Sequence, residues 1–338
     1  MKIRSKMVFL LTLLVIILLF GGCATRIDVK RLVPATHSMA NYRNIALLPV
    51  KPYRLPIFET PGALVEDLSG SAPFRVYSGY QSFIEKSLAN YSGELLKREL
   101  EKSSYFSLVE TNFSNVADIV GEKYGTTELE AILDVQVRRL DVEEYVYARK
   151  VVNEDATETF VYYLRQKIGL EISYSVLDVQ TGKAIYKDSF QNREEYTYAL
   201  DSKKGPVIYA PDLTPKLRQM SEDLITSIVN SIAPRWVSSS ISLMANRPKL
   251  PHLEDSYKAV KEGRLNFAYS QFLQEWEFSG HVASGYNGAL ILEALQRREE
   301  AIKLMQKVWQ SSGSQKAKKQ LDRMYRYRED QGEAESQF

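Results

Sequence analysis

The spacing of apolar residues changes once along this chain, and that change limits its possible folds more than any motif does. In the middle of the chain apolar and polar residues alternate, as in Leu133-Asp134-Val135-Gln136-Val137-Arg138 and again through Tyr162, Leu164, Ile168, Leu170, Ile172 and Tyr174. A period of two marks a strand with one buried face. From residue 252 onward the apolar residues recur every three or four positions, the spacing of amphipathic helices. Between the regimes lies Arg235 to Pro251, rich in serine, proline and basic residues, which reads as a linker. The pattern predicts an α+β domain over 43–234, with a mixed sheet and flanking helices, then an all-α helical-repeat module over 252–329 and a polar tail over 330–338.

Within the first domain, Asn44 to Val50 is a nearly continuous apolar run and reads as a buried strand. Residues 52–77 contain four prolines and read as a long surface loop. Gln81 to Lys102 has helical spacing, Tyr105 to Glu110 reads as a strand, and a short helix is expected near Ser114–Lys123. Three long antiparallel strands are expected over Glu130–Lys150, Phe160–Val179 and Lys183–Tyr198, with Thr181-Gly182 supplying a tight turn. A polar loop and a helix over Leu213–Ile232, stopped by Pro234, close the domain. In the second module the helices are expected over Leu253–Glu262, Asn266–Phe278, Val282–Gln296, Glu299–Ser311 and Gln315–Arg328.

The N-terminus reads as a signal peptide over residues 1–22. Lys2, Arg4 and Lys6 precede the apolar run Met7–Phe20, and Gly21-Gly22 follow it. As a helix the run would reach only about 21 Å at ~1.5 Å per residue, short of the ~30 Å a bilayer core requires. Leu19-Phe20-Gly21-Gly22-Cys23 resembles the lipobox of bacterial lipoproteins. That resemblance implies a diacylglycerol on the Cys23 sulfur, cleavage before Cys23, and acylation of the new amine by a chain such as palmitate. Several acyl chains anchor a protein nearly permanently, at ~0.8 kcal/mol per buried methylene. Ala24 follows, where the family's inner-membrane retention signal is aspartate, so the resemblance implies an outer-membrane, periplasm-facing protein. Residues 23–42 read as the lipidated tether.

Composition narrows the rest. Hydrophobic residues are 44% and charged residues 25%, as in a folded globular protein. A net charge of +2 gives no electrostatic reason to propose a nucleic-acid partner. Cys23 is the sole cysteine, so the chain cannot form an internal disulfide. No apolar stretch after Phe20 approaches membrane-spanning length.

Two family resemblances have residues behind them. Residues 282–313 look like a tetratricopeptide repeat: Ala289 and Ala301 occupy the small positions where paired helices touch, and Leu292, Met305 and Val308 continue the inner faces. Gly313 stands where that family has a helix-ending proline. Residues 255–279 resemble a worn repeat through Ala268 and Phe272. Residues 44–232 are similar to the curli-secretion (CsgG-like) and penicillin-binding-protein-activator (LpoB-like) lipoproteins, through Asn44 to Val50 and the hairpin Ser175 to Lys183. These resemblances imply roles in envelope assembly and no enzymatic use of the domain.

The sequence offers no constellation for catalysis or for a metal or cofactor. His37, His252 and His281 are scattered. Neither a phosphate-cradling glycine loop nor a Gly-x-Ser-x-Gly or Ser-x-x-Lys nucleophile signature occurs. Glu143-Glu144 and Glu154-Asp155 sit where a hairpin should be solvated, whereas acid catalysis needs a carboxyl raised by desolvation. Three interaction candidates stand out. The far end of the long hairpin, Asp141 to Leu164, carries Tyr145, Tyr147, Phe160 and Tyr162. The repeat groove offers Tyr257, Tyr269, Trp276, Tyr286, Asn287 and Trp309. The last helix presents Lys316, Lys318, Lys319, Arg323, Arg326 and Arg328, a solvated face or a contact for anionic lipid or glycan. The expectation is a non-enzymatic, lipid-anchored envelope scaffold that binds protein partners in the periplasm, with self-association left open. The alternatives are a subunit of an oligomeric outer-membrane secretion channel and an enzyme with an unrecognised site.

Overall fold

A computed structural model describes residues 25–53, 74–80, 84–110, 129–154, 157–201 and 207–338. The expected signal peptide, Cys23 and the expected helix over 114–123 lie outside the described residues, as does Asp155. The fold is α+β, and the chain divides into two compact units. One comprises the described residues up to Val33 with Trp236–Glu335, the other Pro34–Arg235 with Ser336–Phe338.

The strands are β1 (Arg26–Val33), β2 (Asn44–Leu47), β3 (Arg75–Tyr77), β4 (Ser107–Val109), β5 (Ala131–Val152), β6 (Glu158–Asp178), β7 (Ala184–Leu200), β8 (Val207–Tyr209) and β9 (Arg235–Ser242). In the sheet unit five of them run in the order β4-β2-β5-β6-β7. β2 is parallel to β4 and β5, whereas β6 is antiparallel to both β5 and β7. The parallel β2–β4 pair follows from the intervening helix α1 (Ile84–Ser103), which is long enough to carry the chain back across the sheet. Helix α2 (Thr214–Ile232) packs beside α1 on the same core.

One sheet face supplies that core. Every even residue of β6 from Leu164 to Val176 is buried. β5 matches this with Ala131, Leu133, Val135 and Val137, then switches to Leu140 and Val146. The switch is a β-bulge: Val137 pairs with Ile172 and Arg139 with Glu171, leaving Arg138 as an extra residue. Leu88, Leu95, Leu96 and Leu100 of α1 and Leu217, Ile225 and Ile228 of α2 lie against this face. Burying each such side chain contributes roughly 1.5–3 kcal/mol. Between the helices Ser92 and Ser221 meet through their hydroxyls at 2.7 Å, and Tyr174 reaches Ser231 at 2.7 Å.

In the other unit, helices α3 (Glu254–Lys261), α4 (Leu265–Ser279), α5 (Val282–Ala294), α6 (Arg298–Ser312) and α7 (Gln315–Ser336) follow in succession. Short connections reverse the chain, with Gly280 and Gly313 ending α4 and α6 in the left-handed conformation (φ 68° and 65°). Close packing of α4 on α5 is set at Gly285, where a Cβ would meet Trp276 at 2.7 Å and Val308 at 2.5 Å. α5 is buried along almost its whole length, including Tyr286, Asn287, Leu290 and Ile291.

Five segments depart from the sequence expectation. Residues 26–33, expected within a tether, form β1, and residues 235–242, expected within a linker, form β9; the two pair as a separate ribbon. Only Ile27, Val29 and Leu32 face inward from β1, too short an apolar pattern to announce a strand. Two stretches expected as loop contain β3 and β8, which pair in parallel through Val76 and Ile208. They cover the distal apolar face of β5 and β6 with Phe74, Val76 and Ala210 against Val146 and Leu164. The expected polar tail is helical as far as Ser336, and Gln337 beyond it pairs with Ala35 through two hydrogen bonds of 2.8 and 3.0 Å.

Candidate functional site

The long hairpin divides the aromatic residues that its sequence grouped. Alternation along β5 and β6 puts Tyr145, Tyr147 and Tyr163 on the outward face and Phe160 and Tyr162 on the helix-covered face. On the outward face Tyr147 stacks on Tyr163 with centroids 5.4 Å apart. Arg165 donates to the Tyr145 hydroxyl at 3.1 Å and lies 5.1 Å over the Tyr147 ring. Its Nε is 3.1 Å from Glu195 on β7, and Lys167 is 3.2 Å from Glu143. The two tyrosines are thus half-buried within a network of cation–ring and ion-pair contacts. Next to it the face dips at Gly169, where Arg139, Asp141, Glu143, Lys167 and Arg193 line a groove of about 350 Å³.

On the other face Tyr162 stands edge-on to Phe74 at 5.3 Å, as packing rather than display. Glu144 falls among apolar neighbours there and is fully engaged. It accepts from Ser78 Oγ, from Gly79 N at 3.2 Å and from Gln166 Nε2 at 2.5 Å. Gln166, wholly buried, also donates to the Pro211 carbonyl at 3.0 Å. A Cβ on Gly79 would meet the Pro211 oxygen at 1.9 Å, so only glycine fits this clasp of the segments flanking β3 and β8 over the sheet.

Beyond Tyr162, the last residue of β6 paired to β7, β5 and β6 continue alone as a two-stranded ribbon. At its end Val152 is 63% and Phe160 61% exposed. Lys150 and Glu158 pair at 2.6 Å beside them.

In the helical unit the predicted groove residues fall into two groups. Trp276 wedges between α4 and α5, and Trp309 lies against the core with Lys318 4.7 Å above its ring, so both are packing residues. Tyr269 and Tyr286 are likewise taken up by the core, and Arg297 lies 5.3 Å over Tyr269. Asn287 and Tyr257 come together, and they hold part of this same chain. Met244 N donates to Asn287 Oδ1 at 2.7 Å, and Asn287 Nδ2 donates to Met244 O at 2.9 Å and to the Tyr257 hydroxyl at 2.8 Å. Tyr257 in turn donates to Met244 O at 2.7 Å. Burial pushes its phenol up to about 12. Further along, His281 Nε2 lies 3.2 Å from the Arg247 carbonyl. Sequence reasoning picked Asn287 and Tyr257 but missed the segment Leu243–Arg247 as their occupant, because backbone atoms carry no sequence signal.

The remaining titratable residues take structural places. His37 stacks on Tyr186 at 4.7 Å, and His252 meets Glu275 at 2.7 Å. On α7, the partly buried Arg323 pairs with the buried Glu293, whose carboxyl is raised by burial and partly brought back by that guanidinium. Lys318 pairs with Asp322 at 2.7 Å and Arg328 with Glu299 at 3.8 Å, while Lys316 and Lys319 are exposed. Among the described residues no group of three or more His, Cys, Asp or Glu could hold a metal ion, and no helix is long and apolar enough to cross a membrane. The exposed aromatics without a sequence signal include Trp236 at 61%, at the start of β9, and Phe278 at 89%, at the end of α4.

No family model and no curated protein matches the chain. Solved structures with similarity include the PelC dodecamer from Paraburkholderia phytofirmans, at 10% identity over 60% of this chain and 96% of that one, with a TM-score of 0.28. A DUF330 protein from Xanthomonas campestris is 12% identical over 59% of this chain and 85% of its own, with a TM-score of 0.30. A lipoprotein from Neisseria meningitidis is 11% identical over 56% of this chain and 99% of its own, with a TM-score of 0.25.

Proposed function

We propose that this protein is a non-enzymatic, lipid-anchored envelope scaffold that binds a protein partner through the far end of the β5–β6 hairpin. The carrying observation is that end itself: Val152 and Phe160 stand exposed on a ribbon that has outrun β7. An apolar pair held in water on a long two-stranded arm costs nothing in contact with a partner and gains by burial there. The lipobox-like segment ending at Cys23 supports envelope anchoring, through the outer membrane by the family rule for Ala24.

A secretion-channel role fits this hairpin less well. A lipid-facing strand needs one clean apolar face. Glu144 and Lys150 interrupt one face of β5, and Glu143 and Arg149 the other.

The experiment is affinity capture of the acylated protein from detergent-solubilised envelopes, beside a Val152→Asp/Phe160→Asp variant. An envelope protein recovered by the parent and lost with the variant is the expected result. Reproducible absence of any envelope partner, or equal capture by both, overturns the proposal.

A further inference from the structure

We propose that the end of the helical unit where β1 begins rests on an anionic lipid surface, with Phe278 and the basic residues Arg26, Arg247, Lys316 and Lys319 at the contact. This builds on the reading that Cys23 carries lipid.

The first support is chain length. β1 starts at Arg26, and Thr25 is already fixed, its carbonyl accepting from Leu243 N at 2.9 Å. Thr25 stands two positions after Cys23, a reach of at most about 7 Å at ~3.3–3.6 Å per residue. A lipid on Cys23 therefore brings this end of the unit to the headgroups rather than leaving the unit on a long flexible leash.

The second support is what this end displays. From Leu243 the chain runs along α5 toward that helix's N-terminus, since Met244 meets Asn287 and Arg247 meets His281. Phe278, the most exposed large apolar residue among those described, lies just ahead of the turn into α5. α6 returns antiparallel, and after Gly313 it hands over to α7, whose Lys316 sits 5.2 Å over the Tyr286 ring on the first half of α5. Arg26, Arg247, Lys316 and Lys319 are all exposed. Of the acidic groups here, Glu254 is taken by Lys249 at 2.9 Å and Glu277 is exposed. An exposed aromatic ringed by cations suits the boundary between headgroups and acyl chains. The opposite end differs. There Gln296 and Arg298 bind the Lys30 carbonyl, and Arg328 meets Glu299. α5, with thirteen residues, puts about 20 Å between the two ends at ~1.5 Å per residue.

The test uses full-length acylated protein reconstituted with vesicles of phosphatidylethanolamine and phosphatidylglycerol, or of phosphatidylcholine alone. Phe278→Cys or Glu299→Cys carries a polarity-sensitive fluorophore, the Cys23 sulfur being acylated and unreactive. The expected result is flotation with both vesicle types, a blue shift at position 278 that is larger on the anionic vesicles, and no shift at position 299. Flotation with the 278 label still in water overturns the lipid contact and leaves the anchor standing. Failure to float overturns the anchor, and the contact with it. Arg26→Glu, Arg247→Glu, Lys316→Glu and Lys319→Glu combined should abolish the vesicle-type difference at 278; an unchanged difference overturns the role of these cations.

Discussion

Asn287 pairs with Met244 as one β-strand pairs with another: its amide oxygen takes the Met244 N–H at 2.7 Å and its amide nitrogen serves the Met244 carbonyl at 2.9 Å. Asn287 is wholly buried. Asn287→Ala should cost about 2 kcal/mol or more, since both Met244 groups lose this partner and a buried group left unsatisfied costs ~1–3 kcal/mol. A lower urea midpoint with unchanged slope is the readout.

Tyr257→Phe should be milder, about 1 kcal/mol, because the Met244 carbonyl keeps its bond from Asn287. The parent should also weaken at high pH. The folded-state phenol is pushed up to about 12, above its ordinary 10, so its stabilisation is intact below 10 and is lost as pH climbs toward 12. In alkaline unfolding curves the parent's advantage over Tyr257→Phe should shrink across that window.

Arg323 and Glu293 form a pair that is costly to break singly. Arg323→Met should destabilise by roughly 3–5 kcal/mol, whereas replacing both with apolar residues of similar volume should be near neutral. The sign of the pH dependence follows from burial. The Glu293 carboxyl is already raised, so the folded state holds its proton more tightly than the unfolded chain does. Stability from this group is full below the ordinary carboxylate range and is lost as pH rises through the folded value. Without Arg323 the carboxyl rises further, and the loss should deepen with increasing pH in a denaturation series.

Gly79→Ala should lower the thermal midpoint. The added methyl meets backbone oxygen at 1.9 Å, and such overpacking costs about 1–3 kcal/mol, occasionally more. An unshifted midpoint would show that the 74–80 and 207–213 segments do not clasp the sheet.

Leu164→Ala and Phe160→Asp, four residues apart on one strand face, should behave oppositely. Leu164 is wholly buried among Phe74, Val76 and Val146, and its truncation should cost about 2–5 kcal/mol. Phe160 is mostly exposed, and its change should stay within about 0.5 kcal/mol. Equal losses in denaturant unfolding would mean that the hairpin end is packed rather than displayed.

Much of this architecture is legible in the sequence where period and burial coincide. The helices over 254–261, 265–279, 282–294 and 298–312 lie within about two residues of their expected bounds, because Ala268, Ala289 and Ala301 occur where helices must touch. The long strands are similarly plain. The β1–β9 ribbon was hidden because its partners lie some two hundred residues apart and each is short. Trp276 and Trp309 looked like groove residues because a large aromatic on a helix face reads the same whether it faces a ligand or a neighbouring helix. Tyr145 and Tyr162 seemed to share a tip, yet their places in the register put them on opposite faces.

The bulge at Arg138 gives the distal sheet a kind of reading frame. Upstream, odd residues of β5 face the helices; downstream, even ones do. Threading Arg138 into the ladder as an ordinary strand residue would turn Leu140, Val142 and Val146 to water and drive Arg139, Asp141 and Glu143 inward, whereas deleting it would remove the bulge and leave Arg139 opposite Glu171 and Leu140 opposite Leu170. The sidedness of the whole arm therefore rests on one residue standing outside the ladder: losing that residue should be tolerated, whereas a single insertion or deletion further along β5 should reverse the faces beyond it.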